Sequence, residues 1–138
     1  MKGWPRFFQF YLMTWDGPEY KLIQRRKLLI YHNAPHSRIL TFIDTHEPDE
    51  EHWNAFWKVF EEIGAEHWKE GDYTDRSVYR GTDWIFYFLG PAGEYRCTGL
   101  NRYPDRFPEL IRAFGELIGD PKFGGSFARM DQESVVPA

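Results

Sequence analysis

At 138 residues the chain has the length of one domain, and a chain of that size buries about two-thirds of its unfolded surface, enough for a real core. An aromatic content of 19%, with six Trp, excludes a disordered chain, and a single Cys excludes an internal disulfide. The net charge of −4 is unevenly spread: residues 44–75 hold eleven acidic and two basic residues, −9, while the rest holds ten and fifteen, +5, a polarity that bears on partners rather than on fold.

Phe7 to Trp15 is predicted as a first strand, with Phe8, Phe10 and Leu12 on one face and Phe7, Gln9, Tyr11 and Met13 on the other. Asp16-Gly17-Pro18-Glu19 reads as a turn. Tyr20 to Gln24 is expected as a short strand, with Arg25-Arg26-Lys27 as its loop or solvated edge. Lys27 to Tyr31 follows as a strand, with Leu29 and Tyr31 set opposite Leu28 and Ile30; then a loop at 32–37 and a further strand from Arg38 to Asp44. Pro48, Asp49, Glu50 and Glu51 suit the positive N-terminal end of a helix. Its apolar stripe is Trp53, Phe56, Trp57, Phe60 and Ile63, and Gly64 stops it. Residues 66–75 form a polar connection holding Trp68 and Tyr73.

The stretch Thr82 to Phe107 organises the rest. Thr82 to Leu89 is aromatic and β-branched, with Trp84, Phe86 and Phe88 on one face and Ile85, Tyr87 and Leu89 on the other, as expected of a central strand covered twice. Gly90-Pro91-Ala92-Gly93 reads as a short hairpin loop with a glycine bulge. Tyr95 to Leu100 returns, and Gly99 marks a bulge or a close backbone approach. Asp105 is expected as the N-cap of a second helix, with Pro108 in its first turn. That helix carries Phe107, Leu110, Ile111, Phe114, Leu117 and Ile118 on one stripe, and Gly119 ends it.

This order predicts an α+β fold: an antiparallel sheet of five to six strands with two helices on one face, a two-layer sandwich. Residues 1–125 are expected as one domain and 126–138 as a loosely ordered C-terminal tail. The second sheet face then carries Tyr11, Met13, Leu29, Tyr31, Ile85, Tyr87 and Leu89, an apolar patch that calls for a cover: an N-terminal segment, the tail, a ligand or a second subunit.

The run Trp53…Phe56-Trp57, Trp68, Gly81-Thr82-Asp83-Trp84, then Gly99-Leu100-Asn101-Arg102-Tyr103-Pro104 and Phe107 resembles a family of small bacterial proteins with no assigned activity. Those proteins carry a tryptophan-rich helix, a DG-x-x-W strand and a G-x-N-x-Y-P lead into a helix. The resemblance covers roughly the second half of the chain. This chain departs from it at Arg80, where the pattern has Asp. It implies the hairpin–helix fold and no chemistry.

Candidate chemistry is sparse. Asp44, His46 and His52 are legitimate metal-ligand types, but their spacing fits no helix-borne metal motif, so neither metal nor other cofactor is expected. The sequence has no G-x-S-x-G, Walker loop or G-x-G-x-x-G. Glu61-Glu62 and Glu66-His67 read as a charged helix face and its loop rather than as a general acid or base. Cys97 lies in a strand and is expected as a buried, inert thiol. Basic residues form no dense run, which argues against nucleic acid, and no apolar run approaches the ~20 residues of a membrane span. No cleavable leader is read at the N-terminus, so a cytoplasmic location is expected.

The function these residues favour is a non-catalytic protein-interaction domain of the kind an immunity- or antitoxin-like inhibitor or an accessory subunit would use. Its acidic surface, Asp49, Glu50, Glu51, Glu61, Glu62 and Glu66, is expected to meet a basic partner, and its open sheet face a second copy. The alternative is a small-ligand binder or small enzyme built on aromatic residues. Tyr11, Tyr31, Tyr87, Trp84, Asn101 and Tyr103 are the candidates for that ligand or dimer face.

Overall fold

The structure is a computed structural model that describes residues 1–15, 17–34, 42–77 and 81–129. One seven-stranded sheet runs in the order β4-β3-β2-β1-β6-β7-β5. Its strands are β1 (Phe7–Thr14), β2 (Glu19–Arg25), β3 (Leu28–Ala34), β4 (Phe42–His46), β5 (Tyr73–Thr74), β6 (Thr82–Gly90) and β7 (Gly93–Leu100). All neighbours are antiparallel except β5 and β7. Helices α1 (Glu50–Glu62) and α2 (Phe107–Ile118) share one face, so the predicted α+β two-layer class holds. The sheet exceeds the predicted five to six strands because the two-residue β5, hidden in the polar connection, pairs with the end of β7. Strand β4 runs to His46 rather than ending at Asp44, since Leu29 to Asn33 of β3 supply a ladder for it. The predicted start of that strand at 38–41, and Arg80, lie outside the described residues.

Local chemistry sets the element ends. Asp49 caps α1: its carboxylate accepts from the His52 backbone N–H at 2.8 Å. Gly64 follows α1 in the left-handed conformation (φ 75°) and Gly119 does the same after α2 (φ 71°), as expected of both. The residue before α2 is Arg106, itself left-handed, and not Asp105. The Arg106 guanidinium grips Glu109 at 2.8 and 2.9 Å and donates to the Glu62 carbonyl at 2.8 Å. It thereby ties the start of α2 to the end of α1. The predicted hairpin joins β6 to β7 through Pro91 and Ala92, with Gly90 paired to Gly93 and Gly93 at positive φ.

The core is a network of rings between sheet and helices. Phe8, Phe10, Phe86 and Phe114 are fully buried, with Phe10 and Phe114 centroids 4.4 Å apart and Phe8 meeting Trp53 edge to face at 5.1 Å. All of Trp57, Phe60, Trp84, Phe86, Phe114 and Leu117 belong to this one cluster. The N-terminal segment crosses one end of it. Gly3 donates to Asn54 Oδ1 (2.7 Å) and accepts from Trp57 Nε1 (2.8 Å), and the Pro5 carbonyl accepts from Gln24 (3.0 Å). At the other end Phe123 packs on Phe10, Tyr20 and Phe114. Of the expected tail, Gly125–Arg129 forms a 3-10 turn beside α2 with Ala128 buried and Arg112 bonded to its carbonyl at 2.6 Å; residues 130–138 lie outside the described residues.

Candidate functional site

Strand pairing decides which side chains share the open face. Paired residues point the same way, and neighbours along a strand point opposite ways. Tyr11 pairs with Ile85 and with Lys21, and Gln9 with Tyr87 and with Ile23; Ile23 pairs in turn with Ile30. The open face therefore holds Phe7, Tyr11, Met13, Ile23, Ile30, Ile85, Tyr87 and Leu89, all partly exposed. Ile43 (59% exposed) and Leu28 (42%) extend it at the β3–β4 side. Among the described residues, both helices and both 3-10 turns lie on the opposite face, and so do the N-terminal segment and the segment after Gly119, whereas Glu70 reaches round β7 onto the open face, accepting from Thr98 Oγ1 at 2.6 Å.

Two expected members are elsewhere. Leu29 and Tyr31 point into the helix-covered core, Leu29 wholly buried and Tyr31 at 6% exposure. The observed phase of β3 is one residue away from the expected one. Arg26, at φ 58°, and Lys27 form a two-residue turn that pairs Arg25 with Leu28. Counting back, Leu22 pairs with Tyr31, and both share the inward face of Phe10. Ile30, Ile23 and Phe7 replace the two residues on the open face. The signal that finds them is the turn itself: two residues between the strands fix the parity of everything after it.

The remaining candidates for a ligand face are engaged internally. Trp84 is fully buried and its indole N–H donates to the Arg102 carbonyl at 2.8 Å. Asn101, left-handed at φ 64°, accepts from the Thr82 N–H at 2.7 Å and donates to the Asp75 carbonyl at 3.0 Å. Tyr103 packs on Phe107 at 5.1 Å, and burial pushes its hydroxyl above the ordinary tyrosine range. Asn101 thus closes the junction of β5, β6 and β7, and Trp84 with Tyr103 seals it. Tyr11 and Tyr87 do lie on the open face, with the Tyr87 hydroxyl donating to Glu94 at 3.0 Å and Lys21 standing 5.7 Å from the Tyr11 ring.

The acidic surface is on the other side of the molecule. Asp49, Glu50, Glu51, Glu61, Glu62 and Glu66 are all exposed, and Lys58 is the one Lys or Arg within α1. The amino terminus reaches Glu61 at 3.4 Å. Hydrogen bonds from the His52 ring and backbone hold the Asp49 carboxyl below its ordinary range. An open groove of about 640 Å³ runs beside the start of α1, with Glu47, Asp49 and Glu50 on one wall and Trp4 and Lys27 on the other. The Lys27 ammonium lies 5.0 Å from the Trp4 ring centroid, so this wall already seats a cation.

The weak metal candidates are not gathered. Asp44 accepts from the Tyr31 hydroxyl (3.4 Å) and the Thr45 N–H (2.8 Å), whereas the His52 ring faces Asp49 at 2.6 Å. Among the described residues, no three His, Cys, Asp or Glu side chains come together as a metal site. Cys97 is fully buried, and burial, with Glu70 and Asp72 nearby, pushes its thiol up to about 12; it is an inert core residue. No described helix is long and apolar enough to cross a membrane. Comparison with protein-family models and with curated proteins finds no match.

Proposed function

We propose that this chain is a non-catalytic protein-interaction domain, and one observation carries the reading. A sheet face bearing Phe7, Tyr11, Ile23, Ile30, Ile85 and Tyr87 across four strands has no described helix or 3-10 turn packed over it, and Glu70 reaches only its β7 side, at Thr98 (2.6 Å). So many large apolar side chains on one sheet face, interrupted by Gln9 and Lys21, call for a partner. The acidic helix surface serves as a second site, for a basic protein surface. The −9 net charge of residues 44–75, much of it on this surface, would repel a phosphate backbone, so the partner is a protein rather than a nucleic acid. An inhibitor of the immunity or antitoxin kind, or an accessory subunit acting in the cytoplasm, is the role these surfaces suit. The turn-and-packing roles of Trp84, Asn101 and Tyr103 weigh against the small-ligand alternative.

Chemical cross-linking in cells that express the chain tests the reading. A protein partner should be trapped by the wild type and lost in Tyr87→Glu, a partly exposed position, with circular dichroism checking that the variant is folded. A cross-link pattern unchanged by Tyr87→Glu, or no cross-linked protein at all, removes the open face as a docking surface.

A further inference from the structure

We infer that the open face docks a second copy of this chain, through a two-fold axis that lies in the interface plane, runs across the strands and passes between Gln9 and Tyr11. The inference rests on the interaction-domain reading and names its partner.

Register makes the face a grid. Along β2, β1 and β6 its outward residues stand in three paired rungs, Ile23–Gln9–Tyr87, Lys21–Tyr11–Ile85 and Glu19–Met13–Asp83, and the same register carried two residues on sets Arg25 beside the Phe7–Leu89 pair, which makes the first of four. The midpoint falls between the second and third rungs. An axis there overlays the whole patch on its counterpart, each strand crossing the same strand of the second copy in reverse. The first rung then meets the fourth and the second meets the third. Phe7 meets Met13 of the second copy, Tyr87 meets its Ile85, and Arg25 meets its Glu19. Every such pair forms twice, because a two-fold contact is isologous.

Charge selects this axis over the other in-plane choice. An axis along β1 would lay β2 over β6, setting Glu19 against Asp83 of the second copy and pressing Arg25 and Lys21 onto Leu89 and Ile85. That pairs two carboxylates and leaves Arg25 without an acid, both costly. The axis across the strands sets Asp83 over Leu89 and Lys21 over Ile23, but Lys21 keeps Glu19 beside it and no two carboxylates meet. With the axis across the strands, Arg25, exposed at the end of β2, reaches the carboxylate that Lys21 holds at 2.8 Å. Extent comes near what a stable dimer needs when the polar β7 side, with Glu94, Arg96 and Thr98, is counted. Six strands at ~4.8 Å spacing and eight residues at ~3.3 Å rise give a footprint of roughly 24 by 23 Å, which side-chain relief raises toward the ~800 Å² per partner of a stable interface.

Sedimentation equilibrium of the full chain at micromolar concentration tests the pairing through charge exchange. The wild type should be a dimer. Arg25→Glu and Glu19→Arg should each raise the dissociation constant about tenfold or more, as lost and reversed ion pairs do. An equimolar mixture of the two variants should dimerise as the wild type does, since each chain then offers the complement of the other at both contacts. Far-ultraviolet circular dichroism confirms that each single variant is folded. A monomeric wild type overturns the inference, as does a dimer indifferent to both variants or a mixture that stays monomeric. A monomer that still traps a different protein through Tyr87 overturns the self-pairing and leaves the interaction-domain reading standing. A charge-exchangeable dimer whose cross-links ignore Tyr87→Glu overturns that reading's use of the central patch instead.

Discussion

Asp49 shows how much one side chain can organise. Its Oδ1 accepts from the His52 N–H at 2.8 Å and faces the His52 ring nitrogen at 2.6 Å, and those bonds lower its carboxyl pKa. A depressed folded-state pKa means stabilisation present above the unfolded pKa and lost as pH falls through the folded one. Asp49→Ala should therefore melt below the wild type at neutral pH, and the gap should close as pH drops beneath the ordinary carboxylate range. Asp49→Asn keeps a capping oxygen without the titration, so its gap should be small and less dependent on pH. A melting difference that persists unchanged into acid would show that the ionised cap is not what holds the helix start. Gly99 tells a different residue-scale story. A Cβ there would overlap the Trp84 indole, whose N–H must reach the Arg102 carbonyl. The sequence carried that signal, a glycine late in a strand, but not which group approaches, because Trp84 and Gly99 become neighbours only through the β6–β7 register.

At the scale of elements, α2 is held by what it buries. Phe114 is fully buried among Phe8, Phe10, Phe56 and Phe86, with centroids 4.4 to 5.9 Å away. Phe114→Ala should cost about 3–5 kcal/mol, since rings fixed on three elements, β1, β6 and α1, cannot collapse into the cavity. A denaturation midpoint unchanged by the substitution would mean that α2 is not docked on the sheet. Both helices, their glycine stops and the central hairpin were legible because helical spacing and turn chemistry are local. The phase of β3 was not, because Leu28 to Tyr31 is apolar at every position and alternation alone cannot choose a face. Strand β5 was hidden for a related reason: two residues have no pattern, and only pairing with Gly99 and Leu100 makes them a strand. The acidic surface was read from the charge run and amphipathic spacing of one helix. The open face needed the register of several strands, which is why one tyrosine and one leucine were assigned to the wrong side of the sheet.

For the whole molecule, the sandwich separates an acidic helix layer from a mixed apolar sheet face, so the two surfaces of the proposed function would not compete. Self-pairing through the sheet would leave α1 of each copy pointing outward, with Glu50, Glu51 and Glu62 exposed. Charges at a rim steer encounter more than they hold the complex, and salt screens them. Replacing Glu50, Glu51 and Glu62 by Lys should slow association with a lysine-rich synthetic peptide about tenfold or more at low ionic strength, given the reach of unscreened fields. The difference should shrink toward nothing near 1 M salt, where the screening length is about 3 Å. The fold should survive, because all three side chains are exposed and the Arg106 bond goes to the Glu62 carbonyl, not to its carboxylate. Glu116→Lys, an equally exposed reversal on α2, serves as the control and should leave the rate near that of the wild type. Stopped-flow association rates across a salt series decide the matter: rates that ignore both the triple reversal and the salt would remove the α1 surface from recognition, whereas equal slowing by Glu116→Lys would reduce it to an effect of net charge.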